Sequence, residues 1–432
     1  MTKTGLVWFR NDLRIHDQIS LVKAAKENDF VMGIYCFDPR QYEKDRFGFV
    51  KTANYRAQFL IETVNALQQE LSEYNIPLFV HIGNPEEIIP EYVKIHTITS
   101  VYLQKEWTSE EVNVFENVKN AVSNTVDWIE TYDQFLYHPE DIPYEIAKIP
   151  QVFTGFRKKC EKYASIRELE TISKMPKKNR VEQLTKVPTL QDLGLPDFEK
   201  DTRSAFPFKG GEKAGLERLK QYSWDTKKLS YYKKTRNGLV GTDYSSKFSA
   251  WLANGSLSPR MIYHEIQKYE SQIVKNQSTY WMIFELIWRD FFKYISLKYR
   301  NDIFKLEGIL HKQYDWNSDP KLIQQWIDGE TAEPFVNANM LELKRTGWMS
   351  NRGRQNVASY FARTLQLDWR IGAAYFESVL LDYDVHSNYG NWMYVSGVGN
   401  DPRNRTFNVK LQAERYDTNK KFQNLWLQTS LF

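Results

Sequence analysis

The sequence predicts an α/β plus all-α fold: an amino-terminal doubly wound, Rossmann-like parallel-sheet domain, a long connector and a carboxyl-terminal all-helical domain. Three observations carry this. Short apolar runs alternate with helical patterns over the first 130 residues, as in a parallel sheet covered by helices on both faces. Strand signals nearly vanish in the second half. The length, 432 residues, exceeds the size at which one hydrophobic core stops growing. The expected boundaries are 1–130, 131–206 and 207–432.

In order, Leu6-Val7-Trp8-Phe9 is a short apolar strand, followed by the polar loop Arg10-Asn11-Asp12-Leu13-Arg14 and a helical pattern near Gln18–Asn28. Val31–Phe37 is a continuous apolar run, as in strands buried on both faces. Between Thr52 and Tyr74, Phe59, Leu60, Val64, Leu67 and Leu71 recur at helical spacing. Strand Pro77–Ile82 leads to a helix opened by Asn84-Pro85-Glu86-Glu87, where a cap, a first-turn proline and acids suit the positive end. Strand Ser100–Gln104, a helix from Thr108-Ser109-Glu110-Glu111 and strand Val126–Ile129 complete the domain. Pro, Lys and Glu dominate the connector, which reads as a linker draped over a surface with one short helix at Val152–Glu161. Helices are then expected at Gly210–Tyr222, Tyr244–Asn254 (stopped by Gly255), Ser258–Tyr269, Ser278–Arg300, Asp319–Ile327, Ala338–Thr346, Gln355–Thr364 and Arg370–Leu380.

Composition excludes several classes. No run of eighteen apolar residues exists and the amino terminus has no signal-peptide pattern, so a soluble cytoplasmic protein with no membrane partner is expected. Cys36 and Cys160 alone give neither a disulfide framework nor a Cys-based metal site. The seven histidines are dispersed, so hydrolase and metal chemistry are disfavoured and no metal is expected. No Gly-x-Gly-x-x-Gly follows a strand and no Gly-x-x-x-x-Gly-Lys is present, which disfavours dinucleotide binding of the usual Rossmann kind and P-loop chemistry. Residues 1–150 carry 23 acidic and 14 basic side chains, the remainder 31 acidic and 44 basic. A basic half suggests a polyanionic partner.

The stretch Gly347–Asn400 places Trp348, Trp369 and Trp392 among Arg354, Asp382, Asp384, Asn388 and Asn391. Ordinary cores use Leu, Ile and Val, so this mixture suits a large planar ligand with amide-like and anionic groups, or else a Trp-rich core laced with ion pairs. Tyr244 through Ser249 offers hydroxyls (Ser245, Ser246, Ser249) and a cation (Lys247) near a helix start: plain caps or a phosphate site, to which Tyr232 and Arg236 upstream could add. Glu285 and Arg289, four apart, share a helix face and read as a salt bridge or a site pair. Arg354, Asp382 and Asp384 read as one buried ion-pair cluster. Glu106 and Glu110 follow strand Ser100–Gln104, where such sheets bind ligands.

Taken with Val7 through Arg14, the Ser245–Ser249 run, Leu257-Ser258-Pro259-Arg260 and Phe284 through Asp290, the chain resembles the photolyase/cryptochrome flavoproteins along nearly its whole length. Gly353-Arg354-Gln355 and Gly397 through Arg403 resemble its DASH-type cryptochromes. The resemblance implies an α/β antenna domain and a helical domain holding FAD. It implies that Tyr232, Arg236, Ser245, Ser246, Lys247, Phe248 and Ser249 hold phosphates and ribityl chain, and that Glu285, Arg289, Trp348, Asn351, Arg354, Asp382, Asp384 and Asn388 surround the flavin, with Asn388 facing N5. Asparagine there is similar to photolyases and DASH proteins, not to animal (Cys) or plant (Asp) photoreceptors. Trp392, Trp369 and Trp316 match an electron-transfer chain.

By the same resemblance, Glu285, Asn351 and Asn388 are the catalytic candidates, and Glu285, Trp288, Asn351, Gln355 and Tyr394 receive a flipped-out cyclobutane pyrimidine dimer. Gln355 and Tyr394 stand where standard dimer photolyases carry Met and Trp, which implies a preference for single-stranded DNA. Thr331-Ala332-Glu333-Pro334, Asn337, Ala250 and Trp107 depart from the usual pattern, at the pocket edge and the antenna site. The implied antenna is 5,10-methenyltetrahydrofolate near Glu106 and Glu110. A monomeric photo-lyase that repairs pyrimidine dimers is the first expectation. A blue-light photoreceptor or DNA-binding regulator signalling through flavin photoreduction is the alternative.

Overall fold

The computed structural model describes residues 2–181, 184–403 and 406–428. Five parallel strands form one sheet: β1 (Thr4–Trp8), β2 (Phe30–Phe37), β3 (Leu78–Ile82), β4 (Ser100–Gln104) and β5 (Asp127–Thr131), in the order β3-β2-β1-β4-β5. The chain starts in the middle, winds outward through β2 and β3, and crosses back to β4. The strand order therefore reverses beside β1, and the crevice at the carboxyl ends of β1 and β4 is where such sheets take ligands. Every residue of β4 and all but Thr4 of β1 are buried, consistent with helices Ile19–Glu27, Asn54–Glu73, Pro85–Ile95 and Ser109–Ala121 covering both faces.

The helical half is built on Gln277–Tyr299, which Asn276 and Thr279 start with a reciprocal capping box. Expected helices appear at Glu212–Lys220, Pro259–Gln272, Pro320–Asp328, Pro334–Thr346 and Trp369–Val379. One expectation shrinks and another, Gln355–Thr364, starts earlier and changes form along its length. Only Ser249–Ala253 of the stretch 244–254 is helical, because Lys247 sits at φ +67° and turns the chain just before it. The helix Asn351–Ser359 widens into a looser turn over Tyr360–Thr364. Four α-helices among the described residues have no counterpart in the sequence pattern: Tyr232–Thr235, Val385–Ser396, Val409–Tyr416 and Lys421–Leu427.

The connector is not a surface drape. Among its described residues it holds one α-helix, Phe153–Tyr163, and its side chains enter both cores. Phe135, Leu136, Ile149 and Phe156 are buried with the helical half, and Met175, Leu190, Leu193 and Leu195 with the sheet. Asn179 pairs with the backbone of Val31, at 2.9 and 2.8 Å. The two halves meet without a gap at Gly255. A Cβ there would collide with the Asn11 carbonyl, and φ is +74° in any case, so glycine is required twice over. Beneath this contact a buried network links Arg14, Asp17, Asp133 and Arg260.

Candidate functional site

Two cavities flank the contact between the halves. The first, of about 570 Å³, opens in the helical half. Its lining includes Tyr232, Arg236, Ser245 through Ser249, Glu285, Trp288, Arg289, Trp348, Asn351, Arg354, Gln355, Asp382, Asp384 and Tyr394. Segments far apart in the chain thus converge on one wall. Asn388 does not line it. Its amide donates to the Ala373 carbonyl at 3.0 Å, while its helix neighbours Ser387 and Asn391 face the cavity.

The charges pair differently from the sequence expectation. Glu285 and Arg289 form no ion pair with each other; Glu285 binds Arg236, and Arg289 donates to the carbonyls of Gln134 and Leu252. Arg354, Asp382 and Asp384 do not form one cluster. Arg354 reaches both oxygens of Asp382 at 2.9 Å, and Ser249 donates to the same carboxylate at 2.7 Å. Asp384 instead pairs with buried Lys293 at 2.7 Å and caps helix Val385–Ser396 through the Ser387 amide. Burial alone would raise the Asp384 carboxyl, but Lys293, His386 and Arg289 outweigh it and hold Asp384 well below the usual carboxylate range. Lys293 lies one helical turn beyond Arg289 on the same face, so its position was visible in the sequence; its partner, 91 residues on, was not.

Lys247 is the most informative side chain. It is 2% exposed; its Nζ has no hydrogen-bond partner among the described residues and lies 3.2 Å from the centre of the Tyr244 ring and 4.7 Å from that of Trp348. Desolvation pushes its pKa well below the usual lysine value. A buried, unpaired ammonium is costly unless a ligand anion completes it. With the hydroxyls of Ser245, Ser246 and Ser249 beside it, the donor set fits a diphosphate. Trp281 also lines this cavity, and its buried Nε1 has no hydrogen-bond partner among the described residues. Arg352 lines it too, reaching Gln355 at 2.9 Å and Asn237 at 3.1 Å. Neither Trp281 nor Arg352 stood out in the sequence as a site candidate.

Trp288 presents one ring face inward because Phe153 of the connector stacks on the other, at 3.7 Å and 11°. Tyr394 meets Trp288 edge-on, at 6.0 Å and 87°. None of the three expected electron carriers lines either cavity. Trp392 is buried against helix Trp369–Val379, where a Cβ on Gly372 would strike its ring. Trp369 is fully buried, with Nε1 donating to Leu306 at 3.0 Å. The segment holding half-buried Trp316 pairs with the one before Trp369 through Asn317, Gln366 and Asp368.

The second cavity, of about 670 Å³, occupies the crevice at the ends of β1 and β4. Glu106 and Glu110 both line it. Glu110 pairs with Lys51 at 2.5 Å, whereas Glu106 accepts from Gln104 and, among the described residues, has no cation partner; its carboxyl is raised by burial. Trp107 does not enter this cavity: it stacks on His386 at 4.5 Å and donates to Ser296 at 2.8 Å. Nor do Thr331 and Asn337 alter the first cavity; they hydrogen-bond to each other at the start of helix Pro334–Thr346 and line neither space. Ala250 is simply buried core. Ala253, Arg289 and Asp384 line both cavities, so the two share a charged wall.

A sheet of this order joined to a helical half with a diphosphate-type donor set defines a flavoprotein architecture, and comparison with known proteins agrees. The family models described as DNA photolyase and as the FAD binding domain of DNA photolyase match residues 5–177 and 281–430. The chain belongs to the photolyase/cryptochrome family, on the cryptochrome DASH branch. Relatives bearing the name Cryptochrome DASH include those of Gloeobacter violaceus, 46% identical over 99% of this chain and 86% of that protein, and Danio rerio, 44% identical over 99% and 83%. The crystal structure of a Synechocystis cryptochrome is 44% identical and superposes with a TM-score of 0.94 over 98% of this chain and 88% of that one. A class III photolyase of Agrobacterium tumefaciens, at 23% identity and a TM-score of 0.84, shares the fold. The protein is thus a blue-light flavoprotein with an FAD-binding helical domain. Among the described residues no helix is long and apolar enough to cross a membrane.

Proposed function

We propose that this protein is a light-driven deoxyribodipyrimidine photo-lyase that acts by preference on single-stranded DNA. The observation that carries it is the convergence of Glu285, Trp288, Asn351, Gln355 and Tyr394 on the FAD-type cavity. Tyr232, Arg236, Lys247 and the serines would hold the FAD diphosphate and ribityl chain, and the Arg354–Asp382 pair would supply polar contacts to the flavin. When bound and reduced, FAD would supply upon excitation the electron that opens the cyclobutane ring and would regain it once both bonds have broken, so that the reaction is redox-neutral.

The side chains receive and orient the lesion. Glu285 accepts hydrogen bonds from the dimer once Arg236 yields to the substrate or to the cofactor phosphates, and Asn351 fixes its edge. Asn388, tethered to Ala373 behind the wall, supports the flavin side through helix Val385–Ser396. Extracting a base from a duplex costs stacking energy, and photolyases are among the enzymes that meet this cost. Here one indole face and an edge-on phenol offer limited stacking in return, which favours strands already unpaired. Glu285→Gln should lower the rate of dimer splitting in a single-stranded oligonucleotide about tenfold or more, with flavin content unchanged, because a neutral amide is a weaker acceptor than a carboxylate. Equal rates would reject the assignment of Glu285.

The second cavity is proposed to hold 5,10-methenyltetrahydrofolate as antenna. Glu106, Glu111 and Glu377 line it, burial raises all three carboxyls, the last two to about 7, and among the described residues none is in an ion pair. Carboxylates of this kind suit the adjacent N–H donors of an aminopyrimidinone ring. Gently purified protein lacking a near-ultraviolet folate band would reject this. The Trp392, Trp369 and Trp316 series also supports a photoreceptor or DNA-binding regulator. A Trp369→Phe variant that keeps every light response in cells would remove that reading.

A further inference from the structure

We propose that the ridge Lys227–Lys234, outside the cavity, is the track on which the unpaired strand flanking the lesion lies. The segment 227–236 carries five cations and no carboxylate: Lys227, Lys228, Lys233, Lys234 and Arg236. Of these, among the described residues, only Arg236 is in an ion pair. Lys228–Tyr231 forms a tight turn that runs directly into the short helix Tyr232–Thr235. Lys227, at φ +52°, precedes the turn, so no single helix orders the row, but Lys227, Tyr231 and Lys234 are all exposed. Tyr231, at 56%, is one of the most exposed large hydrophobic side chains among the described residues.

Tyr232, Lys233 and Arg236, interleaved with the exposed positions, join the ridge to the site. Tyr232 and Arg236 line the FAD-type cavity. Lys233 lies over the ring of Trp281, itself a lining residue, at 4.3 Å, and donates to Gln277 at 2.7 Å. A row of ammonium groups without carboxylate partners beside an exposed phenol is the combination that binds single strands: charge tracks the phosphates and the ring stacks on a base. The ring decides between strand types. In a duplex both faces of each base are already covered, so Tyr231 gains a stacking partner only where bases are unpaired. The ridge thereby adds a second source of single-strand preference to the one inside the cavity. It deepens the DNA reading above and rests on that reading for what the cavity receives.

The test is fluorescence anisotropy of the FAD-loaded protein with an undamaged oligothymidine and a hairpin duplex, over a range of salt. Replacing Lys227, Lys228 and Lys234 together by Gln should reduce the log–log salt slope for the single strand by about 2, because three ammonium groups no longer neutralise phosphates. Tyr231→Ser should weaken single-strand binding by about tenfold and leave duplex affinity unchanged. An unchanged slope in the triple variant, an unchanged single-strand affinity in Tyr231→Ser, or no wild-type affinity for the undamaged strand overturns the proposal. Splitting of an isolated dinucleotide dimer, too short to reach the ridge, is measured alongside. Wild type failing there rejects the lyase reading, while the anisotropy still decides the ridge.

Discussion

Lys293 and Asp384 meet at 2.7 Å in the wall between the cavities, the lysine 3% exposed. Removing one member of such a pair strands the other charge out of water. Lys293→Met should therefore destabilise the protein by about 3–5 kcal/mol, measured by denaturant unfolding; a loss below about 1 kcal/mol, the size of an exposed pair, would mean Asp384 is held by Arg289 and the helix start alone. Glu342 supplies a pH-dependent counterpart. It is 1% exposed, one oxygen has no hydrogen-bond partner among the described residues, and desolvation raises its carboxyl to about 8. Between the ordinary 4.5 and about 8, the folded state keeps a proton that the unfolded state has released, so this group's contribution to stability falls as pH rises. Glu342→Gln should gain on wild type across that window, by on the order of a few kcal/mol in total. Parallel stability profiles would contradict it. Residue types and helical faces in this wall were legible in the sequence, but pairings were not. The expected Arg354, Asp382 and Asp384 cluster divides because Lys293 claims Asp384, a choice set by packing between distant helices.

At the scale of elements, periodicity revealed the sheet and most helices, because burial on one or both faces imprints a repeat. Helix Val385–Ser396 escaped it. Its Val, Ser, Asn and Gly are poor helix formers, and the element stands on its Asp384 cap and on contact with helix Gln277–Tyr299. Gly390 permits that contact: a Cβ there would collide with the Phe292 ring. Gly390→Ala tests the balance. Propensity alone predicts a gain of about 1 kcal/mol, whereas overpacking predicts a loss of about 1–3 kcal/mol. The collision is with a ring that is 6% exposed and cannot swing away, so a net loss is expected in thermal melts. A stabilised variant would show that the two helices separate freely. The connector misled for a related reason: its proline and lysine content resembles a linker, yet its scattered Phe, Leu and Met side chains are what the two cores take up.

At the scale of the molecule, the arrangement places a flavin-type cavity and a strand-end cavity on either side of Arg289 and Asp384, with Trp288 and Glu285 lining the first. The central claim is that light absorbed here breaks a cyclobutane dimer held in that first cavity. The most direct measurement is the release of unmodified thymines from a dimer-containing single-stranded oligonucleotide by the reduced protein, under blue light and in darkness, with the matching duplex in parallel. Light-dependent release from the single strand is expected, with slower release from the duplex and none in the dark. No release from the single strand at stoichiometric protein would contradict it.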